Sequence, residues 1–120
     1  MTRVALADRP GLGRSALATL VSRTPGVTLV ATLSDAQEIE PAVRATQPDM
    51  VVVDDRLLRD ARWSAEELGT RLVVVGVDDD PGYLARARQL GAEAWVPKER
   101  ADALLPLMLT APPQLTPERS

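Results

Sequence analysis

The chain has 120 residues and a formal net charge of −3, with 45% apolar and 26% charged residues, which is enough for one domain with a hydrophobic core but not for two. It contains no Cys and no His, so disulfides, thiolate or imidazole metal sites and Ser/His or Cys/His catalysis are excluded. No apolar run reaches the roughly 18–20 residues of a membrane span, and the first residues lack a signal-peptide layout. We therefore expect a cytoplasmic protein with no membrane contact.

Short apolar runs alternate with longer stretches of helical spacing, which is typical of βαβ units. The predicted strands are Val4–Ala7, Val27–Leu33, Met50–Val53, Leu72–Val77 and Ala94–Val96. Their continuous Val-rich blocks favour burial on both faces of a parallel sheet. The pattern predicts an α/β fold, a doubly wound five-stranded parallel sheet.

Helical spacing and capping signals place the helices between these strands. The first helix has an apolar face formed by Leu12, Ala16, Leu17, Leu20 and Val21, and the second has one formed by Ile39, Ala42, Val43 and Ala45. Ser34–Gln37 and Ser64–Glu67 fit capping boxes, and Asp80 before Pro81 fits an N-cap. Gly69 and Gly91 stand where helices should stop. A fifth helix over about 100–109 contains Pro106, which should kink or shorten it.

Charged side chains follow several of the predicted strands. Asp8 ends the first, Asp54 and Asp55 end the third, and Lys98 follows the fifth. Ligand sites in such folds lie outside the carboxyl ends of the strands, where acids from two strand ends and a lysine could hold a hard cation and a phosphoryl group. Each acid, taken singly, is better explained as a solvated charge at a strand end.

Lys98 has a further distinction, because 13 of the 14 basic residues are arginine and it is the single lysine. A compact ammonium on a flexible stem reaches a single oxygen in a way that a guanidinium does not. Either chance or a specific need for an ammonium explains its retention.

The chain resembles the CheY-like receiver domains of bacterial two-component response regulators from Arg3 to about Leu109. The first strand and Asp8 are similar to the receiver's acidic site, Pro48–Asp54 to the strand that ends in the phosphoacceptor, and Gly91–Lys98 to the segment that ends in the family's lysine. The resemblance implies a flavodoxin-like (βα)5 fold, a phosphoacceptor at Asp54 and a phosphoryl contact from Lys98. It also implies a Mg²⁺ site at Asp8 and Asp54 and an aromatic switch position at Trp95.

Three departures from the family pattern stand beside these matches. Arg9 follows Asp8 where the family has an adjacent acid, or else Ala7 precedes it, so one metal carboxylate is missing and Mg²⁺ binding should be weak. Gly76 stands where the family carries a Thr or Ser hydroxyl. Gly76 also follows Asp54 by only 22 positions, which predicts a shortened third helix.

Together these departures favour an atypical, phosphorylation-independent receiver that requires no cofactor. In this interpretation Lys98 pairs with Asp54, and Arg9 satisfies acids that Mg²⁺ would otherwise neutralise. The alternative is a residually competent receiver that accepts a phosphoryl group at Asp54 from a histidine kinase. A third class, a phosphohydrolase with Asp54 as nucleophile and Asp8 or Asp78 as acid, lacks a convincing general acid and phosphate loop, so we expect no enzyme.

The last residues, 110–120, are Pro-rich and are interpreted as a tail or linker that follows a receiver domain at 1–109. Leu115–Arg119 resembles the opening of the NarL/LuxR-type helix-turn-helix domain, with its last two residues exchanged. That resemblance implies transcription regulation, with DNA bound only through an output domain that is not in this sequence. A stand-alone domain with an irregular tail is the alternative.

The chain is also expected to form a homodimer. In the receiver family the face made by the fourth helix, fifth strand and fifth helix often mediates dimerisation. Its candidate residues here are Tyr83, Leu84, Arg86, Arg88, Leu104 and Leu105, of which Leu84 and Leu104 are assigned to the core.

Overall fold

The computed structural model describes residues 1–77 and 81–111. The strands are β1 (Thr2–Ala7), β2 (Val27–Leu33), β3 (Met50–Asp54), β4 (Arg71–Gly76) and β5 (Ala94–Pro97). The helices are α1 (Leu12–Arg23), α2 (Ile39–Thr46), α3 (Ala65–Leu68), α4 (Pro81–Gln89) and α5 (Ala101–Thr110). Short 3₁₀ segments precede α2, follow β3 over Asp55–Asp60 and precede α5. No helix within the described residues is long and apolar enough to cross a membrane.

The sheet is parallel, with strand order β2-β1-β3-β4-β5. The chain therefore starts near the middle, moves out to β2 and then returns past β1 toward β5, which is the doubly wound arrangement predicted from the sequence. The carboxyl ends of β1, β3 and β5 lie at one edge of this sheet. That edge carries the residues on which the functional hypothesis rests.

Two apolar layers cover the sheet because alternate strand residues point to opposite faces. Val52 and Val73 belong to the layer under α1 and α5, whereas Val51 and Val74 belong to the layer under α2 and α4. All four are fully buried. The strands are thus held from both sides, as the Val-rich blocks predicted.

The third helix is short, as predicted, with four residues. The preceding 3₁₀ segment and Trp63 fill the space beside it: Leu57, Leu58 and Trp63 are buried in the α2/α4 layer. The Trp63 indole N–H donates to the carbonyl of Ala36 at 3.1 Å. A buried aromatic ring with a satisfied polar group therefore replaces helical packing here.

Several local expectations need correction. The capping box before α2 is formed by Asp35 and Glu38 rather than by Ser34 and Gln37. Leu12 is exposed, so the buried stripe of α1 is narrower than its apolar spacing predicted. Pro106 does not shorten α5, which continues to Thr110, because Leu105 and Leu109 on either side are completely buried and hold the helix against the sheet.

Other local expectations are confirmed. Ser64 caps α3 by accepting from the Glu67 N–H, and Gly69 ends that helix in the left-handed conformation. Pro81 is the first residue of α4. The Asp80 cap, the Asp78 candidate acid and the tail motif at 115–119 lie outside the described residues.

Candidate functional site

Asp8, Asp54 and Lys98 meet at the carboxyl edge of the sheet, where β1, β3 and β5 end. The Lys98 ammonium donates to Asp54 Oδ2 at 2.8 Å and to Asp8 Oδ2 at 3.3 Å. The Asp54 and Asp8 side chains are 0% and 2% exposed, and that of Lys98 is 23% exposed. The sequence prediction of a Lys98–Asp54 pair therefore matches the geometry.

Arg56 supplies a second cation to the same carboxylate. Its Nε lies 3.0 Å from Asp54 Oδ1 and its Nη2 lies 3.0 Å from Asp54 Oδ2, which is a bidentate contact. Its backbone N–H also donates to Asp54 Oδ1 at 2.9 Å. The guanidinium extends toward Asp8, with Nη2 3.8 Å from Asp8 Oδ1. Both oxygens of Asp54 therefore accept hydrogen bonds from cationic side chains.

Arg9 does not perform the role predicted for it. Its backbone N–H donates to Asp8 Oδ1 at 2.7 Å, while its side chain is exposed at the mouth of the crevice. The guanidinium that contacts both acids belongs to Arg56. The chain reaches this arrangement because the 3₁₀ segment after β3 turns residue 56 back over Asp54, whereas Arg9 leaves the end of β1 toward solvent.

The two buried acids respond differently to this environment. Burial by itself would raise the pKa of Asp54, but the hydrogen bonds from Arg56 and Lys98 outweigh burial and hold that pKa well below its ordinary value of 3.8. The pKa of Asp8 is raised, first by burial and then by the nearby Asp54 charge, against the opposing charge of Lys98. Asp54 is therefore the stronger acid of the two.

The residues present do not fit a Mg²⁺ ion. Mg²⁺ requires near-octahedral oxygen coordination, yet the carboxylates of Asp8 and Asp54 are occupied by the two cationic side chains. No group of three or more acidic, His or Cys side chains suited to a metal occurs within residues 1–77 and 81–111. The weak metal site expected at Asp8 and Asp54 is replaced by an internal pair of cations.

A second feature lies where β4 meets β5. A Cβ added to Gly76 would clash with the Asp55 carboxylate and would lie 2.5 Å from Nε1 and 2.7 Å from Cζ2 of Trp95. The Trp95 indole thus lies in the space that a side chain at position 76 would need. Its N–H is buried and has no hydrogen-bond partner among the described residues. The altered position Gly76 and the aromatic switch position Trp95 therefore form one packed unit.

Sequence reasoning identified the Asp54–Lys98 pair but missed Arg56. One signal was available, because an Asp at a strand end caps the following turn when it precedes a 3₁₀ or helical segment. Asp54 does so here. An arginine two residues after such a cap is placed to fold its side chain back on the same carboxylate, as Arg56 does.

Solved structures similar to this chain are response-regulator receiver domains. A LuxR-family two-component response regulator from an Aurantimonas species is 25% identical, with a TM-score of 0.75 over 98% of this chain and 91% of that one. A LuxR-family DNA-binding response regulator from Staphylococcus aureus is 20% identical, with a TM-score of 0.74 over 89% and 94%.

The isolated receiver domain of RcsB from Salmonella enterica serovar Typhimurium, in the presence of the phosphomimetic BeF3⁻, is 18% identical, with a TM-score of 0.74 over 98% and 94%. No family model and no curated protein matches the chain. The comparisons confirm the resemblance to receiver domains and the flavodoxin-like (βα)5 fold that the sequence implied.

Proposed function

We propose that this chain is a regulatory receiver domain whose acceptor crevice is closed by its own Arg56 and Lys98, so that it acts without phosphorylation. The observation that carries the proposal is the complete engagement of Asp54. Its side chain is 0% exposed and both of its oxygens are bound by cations within 3.0 Å. The same arrangement in an enzyme would block the nucleophile, which supports a regulatory and not an enzymatic role.

Phosphorylation of a carboxylate requires an oxygen lone pair to approach the donor's phosphorus atom. At Asp54 the oxygens are directed at Arg56 and Lys98, and the side chain is closed to solvent. Attack would first require the bidentate arginine contact to break. The Arg56 side chain is 36% exposed and can regain water when the contact breaks, but the buried Asp54 carboxylate would lose two hydrogen bonds. The closed crevice therefore opposes the reaction even before the incomplete metal site is considered.

The Gly76–Trp95 unit supports the same proposal. Position 76 has no hydroxyl to bind a phosphoryl oxygen, and Trp95 already lies in the space beside it. A phosphoryl group at Asp54 would therefore find no side chain at position 76 to move. The domain is proposed to hold one conformation at this end of the sheet.

An attached DNA-binding output domain is the proposed target of this regulation. The support comes from the LuxR-family membership of the Aurantimonas and Staphylococcus proteins and from the Leu115–Arg119 motif. DNA contact would then occur only through that domain. A cytoplasmic location stays a prediction from the sequence.

We also propose homodimerisation through the face of α4, β5 and α5, with Leu105 and Arg86 removed from the candidate interface residues. Leu105 is completely buried, and Leu84 and Leu104 are only partly covered. Arg86 is tied to its own chain by hydrogen bonds to the carbonyls of Leu58 and Ala61, so it is a poor candidate for an interface.

Sedimentation at rising protein concentration tests this assembly. We expect the association constant to be the same with and without beryllofluoride. A crevice that holds one conformation has no second conformation for the ligand to favour. A dimer that forms only with beryllofluoride would contradict the proposal.

Acetyl phosphate with Mg²⁺, followed by denaturing intact-mass measurement, tests the closed crevice directly. We expect no gain of a phosphoryl group in the unaltered chain. Arg56→Ala removes the bidentate contact. Arg44→Ala near the end of α2 is the matched control, since Arg44 forms a surface ion pair with Glu40 and with no other acid among the described residues. Stoichiometric labelling of the unaltered chain that disappears in Asp54→Asn would favour the alternative, a receiver served by a histidine kinase.

A further inference from the structure

A cavity of about 300 Å³ lies at the mouth of the crevice, on the solvent side of the Asp54 carboxylate. Its wall includes the four basic residues Arg9, Arg14, Arg56 and Lys98 and a single acid, Asp8. A cavity of this size is at the small end of ligand-binding sites. Its concentration of positive charge is unusual for a chain whose net charge is −3.

Among the described residues, the basic side chains around the mouth outnumber the acids that pair with them. Arg56 and Lys98 balance Asp54 and Asp8 deeper in the crevice. Arg9 and Arg14 remain: within the described residues neither forms an ion pair, and Arg14 donates only to the Ser34 hydroxyl, at 2.8 Å. Two arginines of the cavity wall therefore have no acidic partner within the described residues.

Backbone groups add to this positive potential. The wall continues through Gly11 and Gly13 at the start of α1, a helix of 12 residues whose N-cap provides no side-chain hydrogen bond and whose first turn has no acid. The first N–H groups of such a helix carry partial positive charge and favour anions.

The absence of a side chain at Gly13 keeps the cavity open. A Cβ placed there would lie 3.5 Å from the Lys98 ammonium nitrogen and 3.9 Å from Asp8 Oδ2, which is ordinary contact distance. Alanine would therefore fit, but a larger side chain would extend into the space between α1 and the lysine.

We propose that this mouth binds a small phosphate-bearing anion non-covalently, held by Arg9, Arg14 and the first amides of α1. Guanidinium groups match phosphate oxygens in a bidentate manner, and the cavity volume suits one or two phosphate groups rather than a large ligand. The inference rests on the proposed function, because it takes Arg56 and Lys98 to remain paired with Asp8 and Asp54. Such a ligand would give the closed receiver a signal that needs no covalent step.

Titration calorimetry with inorganic pyrophosphate and with inorganic phosphate tests the site, with chloride added to equal ionic strength. We expect saturable binding that weakens as salt rises, with amide shifts in an NMR spectrum confined to Leu12–Arg14 and their neighbours. Arg9→Gln and Arg14→Gln should each weaken binding about tenfold, since a charge-assisted hydrogen bond contributes about 1.5 kcal/mol or more.

Two further variants distinguish binding at this site from non-specific electrostatic attraction of the anion to the protein. Arg44→Gln removes the same charge at an exposed position of α2 and should leave binding unchanged. Gly13→Val keeps every charge but fills the cavity, and should abolish binding. Equal weakening by Arg44→Gln and Arg9→Gln, or full binding by a folded Gly13→Val protein, would overturn the proposal.

The closed crevice and the anion site are tested by different measurements, so either hypothesis can be contradicted without the other. Denaturing mass spectrometry after acetyl phosphate detects only covalent labelling, whereas calorimetry with pyrophosphate detects the reversible site. A chain that stays unlabelled but shows no heat of binding would overturn the anion site and leave the closed crevice intact. A chain that becomes labelled would overturn the closed crevice, whatever its affinity for pyrophosphate.

Discussion

Where β1, β3 and β5 end, ion pairs and hydrogen bonds hold the side chains together. Where β4 meets β5, tight packing of an aromatic ring against a glycine does so. In the first region Asp54 is fixed by Arg56 and Lys98 through hydrogen bonds of 2.8–3.0 Å. In the second, the Trp95 ring occupies the space that a side chain on Gly76 would need. Both lie at the same edge of one sheet, yet they respond to different perturbations.

The difference shows how each region can be opened. An ion-pair cluster changes when a charge is removed or protonated, and it tolerates small changes of volume. A packed ring on a glycine tolerates loss of charge but not an added atom, because protein interiors have little free space. Variants that add volume and variants that remove charge should therefore separate the two regions.

The largest effect is expected from Gly76→Thr. Restoring a hydroxyl residue forces a Cβ onto the indole, and the rigid Trp95 ring has less freedom to move than the end of the Asp55 side chain. We expect a loss of about 3 kcal/mol of unfolding free energy, measured by urea denaturation followed by circular dichroism, with a red-shifted Trp emission.

The same substitution in a Trp95→Ala background is the control. There the ring no longer fills the space, and only the end of the Asp55 side chain has to shift, so the cost should fall by about 2 kcal/mol. An equal cost in both backgrounds would show that the ring does not decide the identity of residue 76.

A somewhat smaller effect is expected from Asp54→Ala. This change leaves the partly buried side chains of Lys98 and Arg56 without their shared partner, and we expect it to cost about 2 kcal/mol. Lys98→Met should cost less than about 1 kcal/mol, because Arg56 still pairs with Asp54. Urea denaturation of the two single variants and the double variant gives the coupling energy. Additive costs within a few tenths of a kcal/mol would mean that the ammonium and the carboxylate do not interact.

Part of this comparison was predictable from the sequence, because patterns of apolar residues indicate where strands begin and end. The Val-rich runs gave correct strands to within two residues, and the position of Lys98 after β5 correctly indicated a pair with Asp54. The short α3 also followed from the spacing between Asp54 and Gly76.

Side-chain direction at strand ends was not predictable in the same way. Arg9 and Arg56 both follow an acid closely, and only the path of the backbone after each strand decides which guanidinium turns inward. The same limit applies to Gly76: the sequence shows a missing hydroxyl, but not that the ring of Trp95 has taken the space.

A change of pH should affect the stability of the charged region by a smaller amount than these substitutions do. Asp54 has a pKa below its ordinary 3.8, so its contribution to stability is present above about pH 4 and is lost as the pH falls through the folded-state pKa. Asp8 has a raised pKa, so its contribution is complete below about pH 4 and is lost as the pH rises through the folded-state pKa.

The unfolding free energy should therefore reach its maximum in mildly acidic solution and decline toward neutrality. Asp8→Asn should remove that decline, while Asp54→Asn should flatten the fall at lower pH. Urea denaturation at a series of pH values measures both slopes. A decline toward neutrality of the same size in Asp8→Asn would assign it to another group.

The smallest effect is expected from Mg²⁺, and it bears most directly on whether charge keeps the first region closed. Trp95 lies three residues before Lys98, and its indole is packed beside Asp55 and Gly76, so its fluorescence should report any cation that enters the crevice. Because Arg56 and Lys98 already neutralise Asp8 and Asp54, we expect no saturable change at low millimolar Mg²⁺ in the unaltered chain. Arg56→Ala removes one of these cations and should allow a weak, saturable response, whereas Arg44→Ala should behave like the unaltered chain. A Mg²⁺ response in the unaltered chain equal to that of Arg56→Ala would show that the arginine does not exclude the ion. The closure at Asp54 would then have to depend on Lys98 alone.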